Sequence, residues 1–192
     1  MGPQFYLASA SPRRRQLLEQ LGLGFEVTAA DVDEMPSPRE APADYVLRIA
    51  CLKAETAAQR LESPRLPVLA ADTEVVLGGA ILGKPRSEEE GLRMLAGLSG
   101  RAHQVLSAVA LWKGGALDTA LCSTVVRFRP IPPAEAAAYW ASGEPRDKAG
   151  GYGIQGLGAV FVERLEGSYS NVVGLPLFET AALLRKAGVK LL

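Results

Sequence analysis

A mixed α/β sheet covered by helices is the architecture that this sequence predicts, and three observations predict it. Short apolar runs of strand character alternate with segments of helical periodicity. Two longer alternating stretches, Val105 to Trp112 and Ala120 to Phe128, flank Gly114-Gly115 and read as an antiparallel pair within that order. The chain has 192 residues, 48% hydrophobic and 22% charged, which suits one domain with a buried core.

Taken in order, Phe5-Tyr6-Leu7-Ala8 is an apolar strand, and from Pro12 the leucines at 17, 18 and 21 fall on one side of a helix. Ser11 is placed as its N-cap, Pro12 as its first residue, and Gly22 and Gly24 as its stop. Phe25 to Thr28 is a second strand. It runs into an acidic surface loop, Asp31-Val32-Asp33-Glu34, closed by Pro36 and Pro38. Pro42 to Leu61 is the longest helix, with Tyr45, Val46, Ile49, Leu52 and Ala57 at helical spacing and Lys53 within it. The valine-rich run Leu66 to Leu77 predicts a buried strand interrupted by Asp72-Thr73-Glu74, and Gly78-Gly79 turns it back through Ala80-Ile81-Leu82. Ser87 caps a helix to Leu98, and Pro132-Pro133 opens a short one that Gly143 ends. Asp147 to Gly158 is a glycine-rich loop, Ala159 to Leu165 a strand, Gly167 to Asn171 a turn, and Leu175 to Ala187 a closing helix.

Composition excludes several functions. Twenty-one basic and 21 acidic residues give zero formal charge, so no overall field draws the chain to nucleic acid or to anionic lipid. No stretch reaches the ~18 apolar residues of a membrane span, and Met1-Gly2-Pro3-Gln4 lacks the start of a signal peptide, so a cytoplasmic place is expected. Cys51, Cys122 and the single histidine, His103, have no partners at metal-binding spacing and are assigned to structure. Any metal would therefore be a hard cation on carboxylates, magnesium or manganese.

Arg13, Arg14 and Arg15 crowd the first turn of a helix, where the macrodipole disfavours positive charge. The conflict disappears if an anion sits there, met by backbone N–H groups, by the hydroxyls of Ser9 and Ser11 and by guanidinium groups. Otherwise the arginines simply face water, as is expected of Arg15. Asp72 breaks an interior apolar run, where a carboxylate is costly unless paired, metal-bound or at a strand end. A period of two puts Asp72 and Glu74 on one face and Thr73 on the other, so the two carboxylates could hold a divalent cation or poise a water, or the strand could end early. Gly78 to Lys84 matches the front of a Walker A pattern but fails it at Pro85, and Lys84 remains an ordinary phosphate-binding ammonium if the hairpin returns it beside Asp72. Gly156-x-Gly158 is too short to be a dinucleotide fingerprint. Gln155 carries the donor and acceptor to read one edge of a pyrimidine or an amide, on a loop that could equally be a linker.

Ser9-Ala10-Ser11-Pro12-Arg13-Arg14, Asp33-Glu34, Ala71-Asp72-Thr73, Ile81-Leu82-Gly83-Lys84-Pro85, the run Asp147 to Gly156 and the run Gly167 to Pro176 together resemble the Maf family, in consistent order over nearly the whole chain. That resemblance implies a single Maf-like domain over residues 1–192. It also implies a fold like that of inosine triphosphate pyrophosphatase, with two lobes around a cleft. The implied reaction is hydrolysis of a nucleoside triphosphate to the monophosphate and pyrophosphate. Ala71-Asp72-Thr73 and Tyr152 to Gly156 are similar to the branch acting on dTTP and UTP, as distinct from the branch acting on 7-methyl-GTP. Carried over residue by residue, Asp72 is the proton acceptor for water, and Arg13, Thr73 and Gln155 govern substrate selection. Lys53, Lys84 and Lys148 are expected on phosphates, and Glu34 with Asp72 near a magnesium or manganese ion. A homodimer is implied too. Three positions depart from the family pattern: Met35, Glu74 and Gly151 stand where threonine, an apolar residue and alanine are usual. The competing class is a non-catalytic nucleotide sensor or cell-division regulator using the same cleft, but for anion binding alone Asp72 would be repulsive.

Overall fold

The computed structural model describes residues 2–28, 30–62 and 64–191; Met1, Ala29, Ser63 and Leu192 lie outside them. Strands β1 (Phe5–Ala8), β2 (Phe25–Thr28), β3 (Val68–Leu77), β4 (Ala80–Leu82), β5 (Ala102–Lys113), β6 (Ala116–Phe128) and β7 (Val162–Glu166) form one sheet. Its order is β2-β1-β3-β5-β6-β7, with β4 paired to β3 off that path. β1 lies parallel to β2 and β3, and the remaining pairings are antiparallel. The helices are α1 (Pro12–Gln20), α2 (Pro42–Arg60), α3 (Glu88–Leu98), α4 (Pro133–Ala141), α5 (Tyr169–Val173) and α6 (Leu177–Lys186). The predicted mixed sheet clothed in helices is what forms.

The period of two decides what each face carries. Leu69 and Ala71 of β3 pack with Leu17 and Leu18 of α1 and with Leu183 and Leu184 of α6. Val68 and Ala70 point the opposite way, into the core shared with Val46, Ile49, Ala50, Ala54 and Ala57 of α2. That alanine-rich stripe lets α2 approach the sheet closely, and Lys53 lies on the same stripe, three residues beyond Ala50. A third cluster joins Val75 to Leu95 and Leu98 of α3, Tyr139 of α4, and Tyr152 and Phe161.

Four expectations are corrected. β3 is not interrupted: Asp72, Thr73 and Glu74 keep their register with Ala108, Ser107 and Leu106 of β5. Their backbone groups stay in the ladder while only their side chains are polar, so no break is needed. The glycine-rich loop contains short 3-10 turns at Glu144–Asp147, Ala149–Gly151 and Leu157–Phe161. The last of these delays the start of β7 to Val162. The turn expected at Gly167–Asn171 becomes α5, because the Ser168 hydroxyl accepts the Asn171 amide as an N-cap. His103 is buried as assigned: its Nε2 lies 2.8 Å from the Tyr152 hydroxyl, and burial lowers its pKa to about 4.

Candidate active site

The C-terminal end of β1, the N-terminus of α1, the middle of β3 and the loop after α4 converge on a cleft of about 660 Å³. Each residue singled out from the sequence lines it: Ser9, Ser11, Arg13, Arg14, Glu34, Lys53, Asp72, Thr73, Lys84, Lys148 and Gln155. Glu74 lines it as well.

Asp72 lies at the centre. Its side chain is 9% exposed, and Lys53, 12% exposed, reaches across from α2 to place Nζ 2.8 Å from Oδ1. The same ammonium lies 2.6 Å from Glu34 Oε1, so one lysine spans both carboxylates named as metal-binding. Glu34 is held over the cleft by its loop: the Tyr45 hydroxyl donates to its carbonyl at 2.7 Å, and Arg48 fastens the following residues through Glu40 and the Met35 carbonyl. Two carboxylate oxygens of the cleft, Asp72 Oδ2 and Glu74 Oε2, are buried with no hydrogen-bond partner among the described residues. Burial, then the charges of Asp72 and Glu34, push the Glu74 carboxyl up to about 8, against the pull of Lys53 and Lys84.

On the other face of β3, Thr73 faces support rather than carboxylates. Its hydroxyl lies 2.7 Å from Ser107 Oγ and donates to the Gly174 carbonyl at 3.2 Å. Arg14 completes this brace, donating from Nε to the same carbonyl at 2.8 Å, from Nη1 to Ser9 Oγ at 3.2 Å and from Nη2 to Thr73 Oγ1 at 3.2 Å. Arg14 thus ties α1, β3 and the end of α5 together. Ser9 Oγ also accepts the Ser11 amide, and Ser11 Oγ accepts the Arg14 amide as the α1 N-cap, which leaves both hydroxyl protons free to meet an anion. Arg15 forms a surface pair with Glu19 and takes no part.

Across the cleft, Asp147 bridges Arg13 at 3.6 Å and Lys148 at 2.7 Å, and Lys148 also donates to the Glu144 carbonyl at 2.6 Å. Lys84 and Gln155 form no hydrogen bond or ion pair within the described residues and face the cleft. A carboxylate with one oxygen unmet beside Lys53, in a cleft also lined by Arg13, Lys84 and Lys148, is equipped to bind a polyanion and take a proton beside it.

A family profile described as Maf-like protein matches residues 4–187. The chain belongs to the Maf family. Relatives include the dTTP/UTP pyrophosphatase of Methylobacillus flagellatus, 52% identical over 97% of this chain and 94% of that protein. That of Nitrosomonas europaea is 52% identical over 98% and 96%, and that of Anaeromyxobacter dehalogenans 54% identical over 100% and 97%. Among solved structures, the Ham1 protein of Staphylococcus aureus aligns with a TM-score of 0.44 at 19% identity, covering 67% of this chain and 72% of that one.

Within this Maf chain, sequence reasoning missed Asp147, Glu144 and Tyr139. The first stood beside Lys148 in a quoted motif. The other two lie in Tyr139 to Pro145, where nothing in composition separates a part-buried hydrogen-bonding pair from an ordinary helix end.

Proposed function

We propose that this protein hydrolyses dTTP and UTP to the monophosphate and pyrophosphate. The observation that carries the reading is Asp72: a buried carboxylate with an unmet oxygen on the floor of a cation-lined cleft, in a chain about half identical to proteins named for that activity. For a pure anion-binding module such a carboxylate would weaken binding; for hydrolysis it is the base.

Arg13, Lys84 and Lys148 would hold the triphosphate, with the hydroxyls of Ser9 and Ser11 donating to it at the start of α1. Lys53 fixes the Asp72 carboxylate, leaving Oδ2 to accept the proton of the attacking water at the α-phosphorus. Gln155, exposed at the opposite side, offers an amide to the base edge, with Thr73 and Arg13 shaping the fit. The donors suit a hard divalent cation, because the unmatched atoms are carboxylate oxygens on adjacent same-face positions of β3. Asp72 and Glu34 would hold it, with Glu74 adjoining. No group of three or more acidic, histidine or cysteine side chains converges as a ready metal cage among the described residues, so phosphate and water oxygens would complete its shell. When bound, magnesium or manganese would neutralise developing phosphate charge. Assembly as a homodimer belongs to the same reading and rests on the family likeness.

The test is to incubate the protein with dTTP, UTP, CTP, ATP, GTP and 7-methyl-GTP, with and without magnesium or manganese, and to measure pyrophosphate and monophosphate together. Metal-dependent pyrophosphate from dTTP and UTP is expected, and Asp72→Asn should lower it at least ~10³-fold while the protein stays folded. Tight nucleotide binding with no product would refute the reading.

A further inference from the structure

The loop that carries Gln155 is anchored at both ends by one pair of side chains. Glu144 Oε2 accepts the Leu157 amide at 2.8 Å, and its Oε1 accepts the Gly158 amide at 3.0 Å and the Tyr139 hydroxyl at 2.7 Å. The same Tyr139 oxygen accepts the Gly153 amide at 3.1 Å. Gln155 lies between these two ends. The glycines of the loop record how closely it is held: a Cβ on Gly156 would lie 2.1 Å from Glu144 Oε2, and one on Gly158 2.7 Å from the Tyr139 oxygen. Tyr139 is in turn fixed by its ring, which packs edge-on against Phe161 with centroids 5.0 Å apart inside the third core cluster. The chain of support thus runs from a packed core, through a phenol and a carboxylate, to a loop whose exposed amide has no hydrogen-bond partner among the described residues.

We propose that Glu144, acting with Tyr139, is the positioning residue for base selection, holding the Gln155 amide where it meets the base edge. This rests on the reading of Gln155 as the group that contacts the base. Uracil presents a carbonyl beside an N–H, and cytosine reverses that order with an amine beside a lone pair. A well-placed amide therefore distinguishes them by leaving a polar group unpaired on the wrong base. Such discrimination is sensitive to distance, since a shift of about 1 Å in a positioned group costs up to ~10²-fold. Charged acceptors on backbone N–H groups are among the stronger hydrogen bonds and suit the holding role.

The measurement is the ratio of kcat/KM for UTP to that for CTP, taken on one preparation so that any loss of folded protein cancels. Glu144→Gln retains size but turns the donor NH2 of its amide toward one of the two backbone N–H groups, and is expected to lower the ratio about tenfold or more. Tyr139→Phe keeps the ring packing and removes only the hydroxyl, so a smaller fall in the same direction is expected from a variant that should fold. Combined with Gln155→Ala, Glu144→Gln should add nothing to the loss of discrimination caused by Gln155→Ala alone. An additive loss would overturn the positioning role, as would a ratio within about twofold of the parent in both Glu144→Gln and Tyr139→Phe while Gln155→Ala collapses it. If Gln155→Ala itself leaves the ratio unchanged, the reading of Gln155 fails, and the inference built on it fails with it.

Discussion

Glu74 should make the metal-free protein less stable as the pH rises through neutrality, and Glu74→Gln should remove that dependence. The carboxyl is raised from its ordinary 4.5 to about 8, first by burial and then by the neighbouring charges of Asp72 and Glu34. In the unfolded chain it is ionised well below pH 6.5, whereas the native state keeps the proton until about pH 8. The native state therefore binds more protons between these values, and stability falls with rising pH. The proton contributes about 2 kcal/mol to the native state at pH 6.5 and almost nothing by pH 8.5. His103, lowered from 6.5 to about 4 by burial, acts with the opposite sign and returns only about 0.4 kcal/mol between pH 6.5 and 8.5. Burial raises Cys122 from 9.0 to about 11, and its contribution up to pH 8.5 is only about 0.2 kcal/mol. The assay is urea unfolding with a chelator present, at pH 6.5 and 8.5, for the parent and for Glu74→Gln. The parent should lose about 2 kcal/mol across the interval and the variant less than about 0.5. Equal losses in both proteins would refute the assignment of the slope to Glu74, and so the picture of it as a buried, charge-crowded acid.

Three further outcomes are expected. Lys53→Met removes the cation that meets both Asp72 and Glu34, which should lower the unfolding free energy by about 3 kcal/mol and turnover more than ~10²-fold, checked by urea midpoints and initial rates. Gly151→Ala has room, since nothing lies nearer its Cβ than the Pro85 ring at 3.9 Å, but φ is +67°. A loss of about 1 kcal/mol by denaturant unfolding is therefore expected, and a gain in stability would contradict it. Asn171→Ala strips the two bonds that its Nδ2 donates, to the Val105 carbonyl at 2.9 Å and Thr124 Oγ1 at 2.8 Å in a fully buried setting. It should cost about 2–4 kcal/mol and lower the melting temperature by calorimetry, with the catalytic rate of the surviving folded protein falling as the Gly174 carbonyl loosens.

The strands and longer helices were legible because their signals are local: Ser11 before Pro12, Ser87 before a run of glutamates, and glycine pairs at 78–79 and 114–115 each act over a few residues. The site residues named from the sequence meet in one cleft, since their motifs fall at the ends of strands and helices that the sheet order brings together. What stayed hidden depends on packing. That Arg14 is a brace while Arg13 reaches across to Asp147 cannot be read from three consecutive arginines, because it follows from Gly174 and Thr73 lying about 160 and 59 positions away from Arg14. The short 3-10 turns after Gly143 were equally illegible, being set by Glu144 and by Gly150, whose Cβ would strike Val75 at 2.9 Å.

The unbroken course of β3 gives the protein a simple arithmetic. Even-numbered positions from Val68 to Glu74 look toward α2 and end in the two carboxylates of the cleft, while Leu69, Ala71 and Thr73 look toward α1 and α6 and end in the brace. Carboxylates and brace are thus separated by parity. A substitution at 74 changes charge on the cleft face without touching the brace, and substitutions at 69 and 71 alter packing against α1 and α6 without altering the carboxylates. The cost of this division is brittleness to insertion: a single added residue ahead of Asp72 would exchange the two faces and lose both functions at once.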